Sequence, residues 1–99
     1  MSQFTSVSVH NDGPNVVSFF VAATAEGQSW KVESGNYGED DTHTVQVPAD
    51  AVDITVSVHG EAFIDDWKTI YKNSWPDTTS WPADGLSLRA HGLHCDLEQ

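Results

Sequence analysis

The stretch Gly60–Asn73, GEAFIDDWKTIYKN, decides the fold. Phe63, Ile64, Trp67, Ile70 and Tyr71 fall at helical spacing, with acids leading and lysines trailing, the polarity a helix dipole favours. The same residues also read as a strand, because WKTIYK places Trp67, Thr69 and Tyr71 on one face. A short helix over 61–72 is therefore one expectation and a strand the other. The strand reading agrees better with what flanks it.

Upstream, VDITVSVH (52–59) alternates Ile54, Val56 and Val58 against polar partners. FTSVSVH (4–10) does the same with Val7 and Val9, and THTVQVP (42–48) with Val45 and Val47. VVSFFVAATA (16–25) is apolar enough for a strand covered on both faces, and QSWKVES (28–34) points Trp30 and Val32 inward. Valine outnumbers leucine eleven to four, a bias towards pleated sheet. Between these runs lie NDGPN, AEGQ, GNYGEDD and PADA, whose Gly, Pro, Asn and Asp are turn chemistry. The last run, LSLRAHGLHCDL (86–97), alternates through Leu86, Leu88 and Ala90, slips at Gly92, and resumes at Leu93, Cys95 and Leu97. A β-bulge at Gly92 is expected to absorb the slip. The prediction is an all-β chain, a single-domain antiparallel β-sandwich of about seven strands over residues 1–99. The motif VSVH occurs at 7–10 and at 56–59, but the sequences that follow share no apolar pattern, so it marks two similar strands and not a duplication.

Composition excludes several functions. Four basic residues against fifteen acidic ones give a net charge of −11, which leaves no basic footprint for nucleic acid. Anionic membranes are disfavoured for the same reason; a zwitterionic lipid or a glycan is not. The lone Cys95 cannot form an internal disulfide. The N-terminal segment has neither the basic nor the apolar region of a signal peptide. Cytoplasmic synthesis is expected, with release by a non-conventional route left open.

Because successive antiparallel strands reverse direction, alternate loops should gather at opposite ends. One end collects HNDGPN, GNYGEDD, HGEAFIDD and the exit of the final strand, HGLHCDLEQ. It brings His10, His43, His59, His91 and His94 near Asp12, Asp40 and Asp41. Mixed imidazole and carboxylate suit a divalent cation, Ca²⁺ where carboxylates dominate and Zn²⁺ or Cu²⁺ where imidazoles do. His10, His43, His59, His91, His94, Asp40 and Asp41 are the candidate metal ligands, against the plainer reading of solvated loop tips. The other end holds NSWPDTTSWPADG (73–85), in which Trp75 and Trp81 each precede a proline that stiffens the loop. Trp75 and Trp81 are the candidate ligand-binding residues, for a sugar ring or a lipid headgroup layer. The structural alternative is that they plug the end of the sandwich, while Trp30 and Trp67 are expected in the core.

No nucleophile elbow, phosphate-binding glycine loop or paired-acid site is present in the sequence, so no enzyme activity is expected. VSVHNDGP, VPADAVDITVSV, DDWKTIYKNSW and RAHGLHCDL, taken in order, resemble the aegerolysin-like group of small, acidic, tryptophan-rich, cysteine-poor β-sandwich proteins. That resemblance implies a lipid-binding or toxin-like role, and no functional residue is carried over from it. The resulting expectation is a binding module for a membrane lipid or glycan. The alternative is an acidic inhibitor or immunity-type protein that binds a basic protein partner. A homo-oligomer is compatible with either.

Overall fold

A computed structural model describes residues 4–98. It contains eight strands and, among the described residues, no helix: β1 Phe4–Asn11, β2 Val17–Ala25, β3 Gln28–Glu33, β4 Thr42–Pro48, β5 Val52–Phe63, β6 Asp66–Asp77, β7 Leu86–His91 and β8 His94–Leu97. Two four-stranded sheets pack face to face, one in the order β4-β1-β7-β8 and the other β3-β2-β5-β6. The core lies between them. Val7, Val9, Val45, Val47, Leu86, Leu88, Ala90 and Cys95 come from the first sheet, and Val17, Phe19, Val21, Ile54, Val56 and Val58 from the second. These are the inward positions of the alternating runs, and each large aliphatic removed from water contributes about 1.5–3 kcal/mol.

The ambiguous stretch is a strand, so the short helix over 61–72 is not formed. Its helical spacing has a local cause. Val58 pairs with Tyr71 and His59 with Thr69, which leaves Ile70 as an extra residue in β6. The bulge lets consecutive Ile70 and Tyr71 both pack against the core, mixing the period of two that an uninterrupted strand would show. A second register shift between Glu61 and Phe63 lies near the end of the hairpin. Pairing with β6 also satisfies the backbone groups that β5 would otherwise leave bare along its edge.

Gly92 departs from expectation in the opposite way. It forms no bulge within one strand but a two-residue reversal, with His91 paired to His94 and Ala90 to Cys95. The φ of Gly92 is +60°, which suits a tight hairpin turn. The slip in alternation is thus a change of strand, giving eight strands in place of seven. Cys95 still points inward beside Ala90, as directly paired residues must.

The sandwich is also not wholly antiparallel, since β1 and β7 pair in parallel from Val7↔Leu86 to Asn11↔Ala90. The two strands are six reversals apart and therefore run in the same direction, and they share a sheet because the β6–β7 connection crosses between layers. The chain re-enters that sheet against Ser6, where a Cβ on Gly85 would collide with the Ser6 backbone. Gly85 has φ +98°, a conformation that favours glycine.

Candidate functional site

Strand reversal sorts the loops as the sequence implied, except that the last run turns back at the first pole where the final strand was expected to exit. The β1–β2 loop, the β3–β4 loop, the β5–β6 turn and the β7–β8 turn share one pole, and the β2–β3, β4–β5 and β6–β7 connections share the other.

At the first pole β5 and β6 run on past the sheet partners as a hairpin closed by Ile64 and Asp65. Asp65 takes the left-handed conformation, φ 61°, and its N–H donates to Glu61 Oε2 at 3.0 Å. The turn exposes Ile64 at 89% and Phe63 at 76%, the highest values for large apolar side chains among the described residues. Trp67, expected in the core, is half-buried and stands opposite Glu61 near that tip. Leu93 of the β7–β8 turn is also exposed, and it lies over Gly60 beside Ile70. The pole therefore carries apolar side chains at its extremity among Glu61, Asp65 and Asp66. Sequence reasoning had used Phe63 and Ile64 only as members of an apolar face. Two adjacent apolar residues in the turn of EAFIDD, where polar residues are expected, were the available signal.

The histidines of this pole are not equivalent. His10 Nδ1 is 2.7 Å from Thr42 Oγ1, and a donor atom of His10 lies within 4.8 Å of carboxylate oxygens of Asp12 and Asp40, which are as close to each other. Asp12 Oδ2 also faces Arg89 Nη1 at 3.3 Å and His91 Nδ1 at 3.7 Å. His43 is engaged elsewhere: its ring stacks on Tyr37 with centroids 4.0 Å apart, and Nδ1 is 3.3 Å from Ser34 O. His59 lies on the outer face of its sheet, stacked on Phe20, with Nε2 3.0 Å from Ser57 Oγ. Burial, reinforced by Lys72, lowers its pKa. His94 pairs with His91 across the turn and Asp41 is exposed, but neither joins the group formed by His10, Asp12 and Asp40. Of the seven residues singled out as metal ligands, only His10 and Asp40 enter the group whose ligand atoms lie within 4.8 Å of one another, with Asp12 as its third member.

The loops that carry this group are held by buried polar contacts. Asn11 is fully buried; its Nδ2 donates to Asn15 O at 2.7 Å and its Oδ1 accepts the Gly13 N–H at 3.1 Å. Its backbone N–H donates to Asp41 O, and its carbonyl accepts the Asp40 N–H at 2.7 Å. Gly13 packs against the Gly92 backbone so closely that a Cβ there would collide with it. Tyr37, which the sequence placed in a turn, is buried and donates its hydroxyl to Val9 O at 2.8 Å. Burial raises its pKa well above the usual phenol range.

The second pole contains the tryptophan pair. Trp75 lies on β6 and not in the loop after it, half-buried against the core. Trp81 is a core residue, 7% exposed, with its ring edge-on to Trp75 at 5.4 Å. The connection folds back through Trp81 N–H to Thr78 O and Thr78 Oγ1 to Ala49 O. The indoles close this end of the sandwich, and Trp81 has no free face for a ligand.

No protein-family model matches the chain, and no curated protein does. Solved structures of similar fold do exist. The membrane-binding domain of pneumolysin superposes with a TM-score of 0.61 at 11% identity, covering 97% of this chain and 95% of that domain. The cytotoxin suilysin from Streptococcus suis superposes with a TM-score of 0.62 at 12% identity, over 98% of this chain and 23% of the toxin. The human-specific toxin intermedilysin gives 0.59 at 21% identity, over 97% of this chain and 23% of the toxin. The resemblance to aegerolysin-like proteins thus extends only to a small β-rich fold, and none of these three structures is an aegerolysin. The chain has the fold of a domain that makes up about a quarter of such toxins.

Proposed function

We propose that this chain is a non-enzymatic membrane-docking module that engages a zwitterionic bilayer through the tip of the β5–β6 hairpin. One observation carries the reading: Phe63 and Ile64 stand almost bare of protein at the extremity of a projecting hairpin. Burying both in the acyl boundary is worth about 3–6 kcal/mol, enough for reversible attachment of one copy. Trp67, one step back, sits where an indole favours the headgroup layer. The acids around the tip and the net charge of −11 repel anionic lipid, which selects a neutral surface. The fold of a domain named for membrane binding supports the same reading.

This places docking at the pole opposite to Trp75 and Trp81, and leaves those two indoles a structural task. The test is co-sedimentation with phosphatidylcholine vesicles, read alongside tryptophan fluorescence. The chain should sediment and its emission shift to the blue, with little change up to molar salt. The double variant Phe63→Asp, Ile64→Asp should stay in the supernatant while melting as the parent does. Unchanged sedimentation of that variant would refute the reading. Capture by a basic protein that fades with added salt, without vesicle binding, would favour the acidic inhibitor instead.

A further inference from the structure

We propose that His10, Asp12 and Asp40 form a divalent-metal site, with Zn²⁺ the cation they fit best. The three residues come from the end of β1, the loop after it and the loop before β4, and their donor atoms lie within 4.8 Å of one another. Carboxylates outnumber the imidazole here, but three donors of which one is nitrogen suit four-coordinate zinc better than calcium, which takes about six to eight oxygens. Around a tetrahedral zinc, such donors sit about 3.3 Å apart. The remaining approach, at most about 1.5 Å, is within reach of exposed carboxylates that turn about their own side-chain bonds.

Two features distinguish this group from an ordinary acidic patch. The first is the bond between His10 Nδ1 and Thr42 Oγ1 at 2.7 Å, which orients the ring and leaves Nε2 free to coordinate. A hydrogen bond at the second ring nitrogen is the usual companion of a metal-bound histidine. The second is the rigid backbone beneath. Fully buried Asn11 holds both loops through its side chain and its main chain, so two of the ligands are already positioned in the folded chain.

Arg89 is the natural competitor, since its Nη1 occupies Asp12 at 3.3 Å. Its stronger partner is Glu98, at 2.8 Å, so a cation can take Asp12 and leave Arg89 paired. Cys95 is not a rival ligand, because burial pushes its thiol pKa up to about 12 and keeps it protonated. The site does not depend on membrane docking. An open depression lined by Ser8, Thr42, Ser87 and Arg89 adjoins His10, so a cation bound there has positions open to water or to an outside ligand.

Calorimetric titration of the full chain with ZnCl₂ and, separately, CaCl₂ tests the proposal. Zinc should bind with a stoichiometry near one. His10→Ala and Asp40→Asn should each abolish the heat, and Thr42→Val should weaken binding roughly 10-fold, as loss of a ligand's supporting hydrogen bond does. Arg89→Gln should tighten it, whereas His94→Ala should change nothing. Melting curves of each variant without metal show that it is folded. Zinc heat that survives His10→Ala and disappears with His94→Ala would overturn the assignment. So would a chain that binds calcium alone, or neither ion.

Discussion

The two poles of the sandwich are built from similar material and do opposite things with it. At one, Trp75 and Trp81 turn inward and seal the gap between the sheets; at the other, Phe63 and Ile64 turn outward with nothing to cover them. The difference lies in how the chain passes each end. The β6–β7 connection crosses from one sheet to the other and must lie over the core, so its apolar groups find partners there. The β5–β6 turn joins neighbours within one sheet and runs past the core, so its apolar groups do not. In these two connections, apolar side chains are enclosed where the chain bridges the layers and exposed where it does not.

That contrast can be broken most severely at Trp81. Trp81→Ala should cost about 3–5 kcal/mol, enough to unfold much of a domain this small, and chemical denaturation would measure it. A loss under 1 kcal/mol would mean that the indole closes nothing. At the other pole, Phe63→Asp with Ile64→Asp should change stability by no more than about 0.5 kcal/mol while lowering vesicle affinity about 100-fold or more. Tyr37→Phe removes the hydroxyl that satisfies Val9 O and should cost about 1–2 kcal/mol, with vesicle binding intact once the protein is folded.

The smallest effect is expected with pH. His59 has a pKa lowered in the folded chain, so the unfolded chain binds a proton more readily. Its contribution to stability is complete above its ordinary value of 6.5 and is lost as pH falls through the interval below it. Melting temperatures between pH 7.5 and pH 5 should fall less steeply in His59→Gln than in the parent. An identical slope would show that His59 is not linked to folding.

Much of this architecture could be read from the chain. Every valine of the alternating runs in β1, β4 and β5 that was expected inward is buried, because alternation is set by the pleat and needs no knowledge of neighbours. The gathering of loops at two ends followed from strand reversal alone. Val32 shows where this stops: its side follows the pattern, yet it is 37% exposed because β3 is an edge strand. Trp67 was expected in the core and lies instead on the part of the hairpin that extends beyond it. The bulge at Ile70 made a strand look helical, and the turn at Gly92 made two strands look like one.

The amino-acid sequence by itself determined the pleated class of the chain, its inward valines, its acidic surface and the division of its loops between two ends, since these depend on near neighbours and on direction. Only the tertiary structure decided that β1 and β7 lie side by side, that Trp81 is enclosed while Ile64 is bare, and that His10, Asp12 and Asp40 converge without His43, His59 or His94. Burial and convergence depend on what arrives from the other sheet and from distant loops, and no local pattern carries that information.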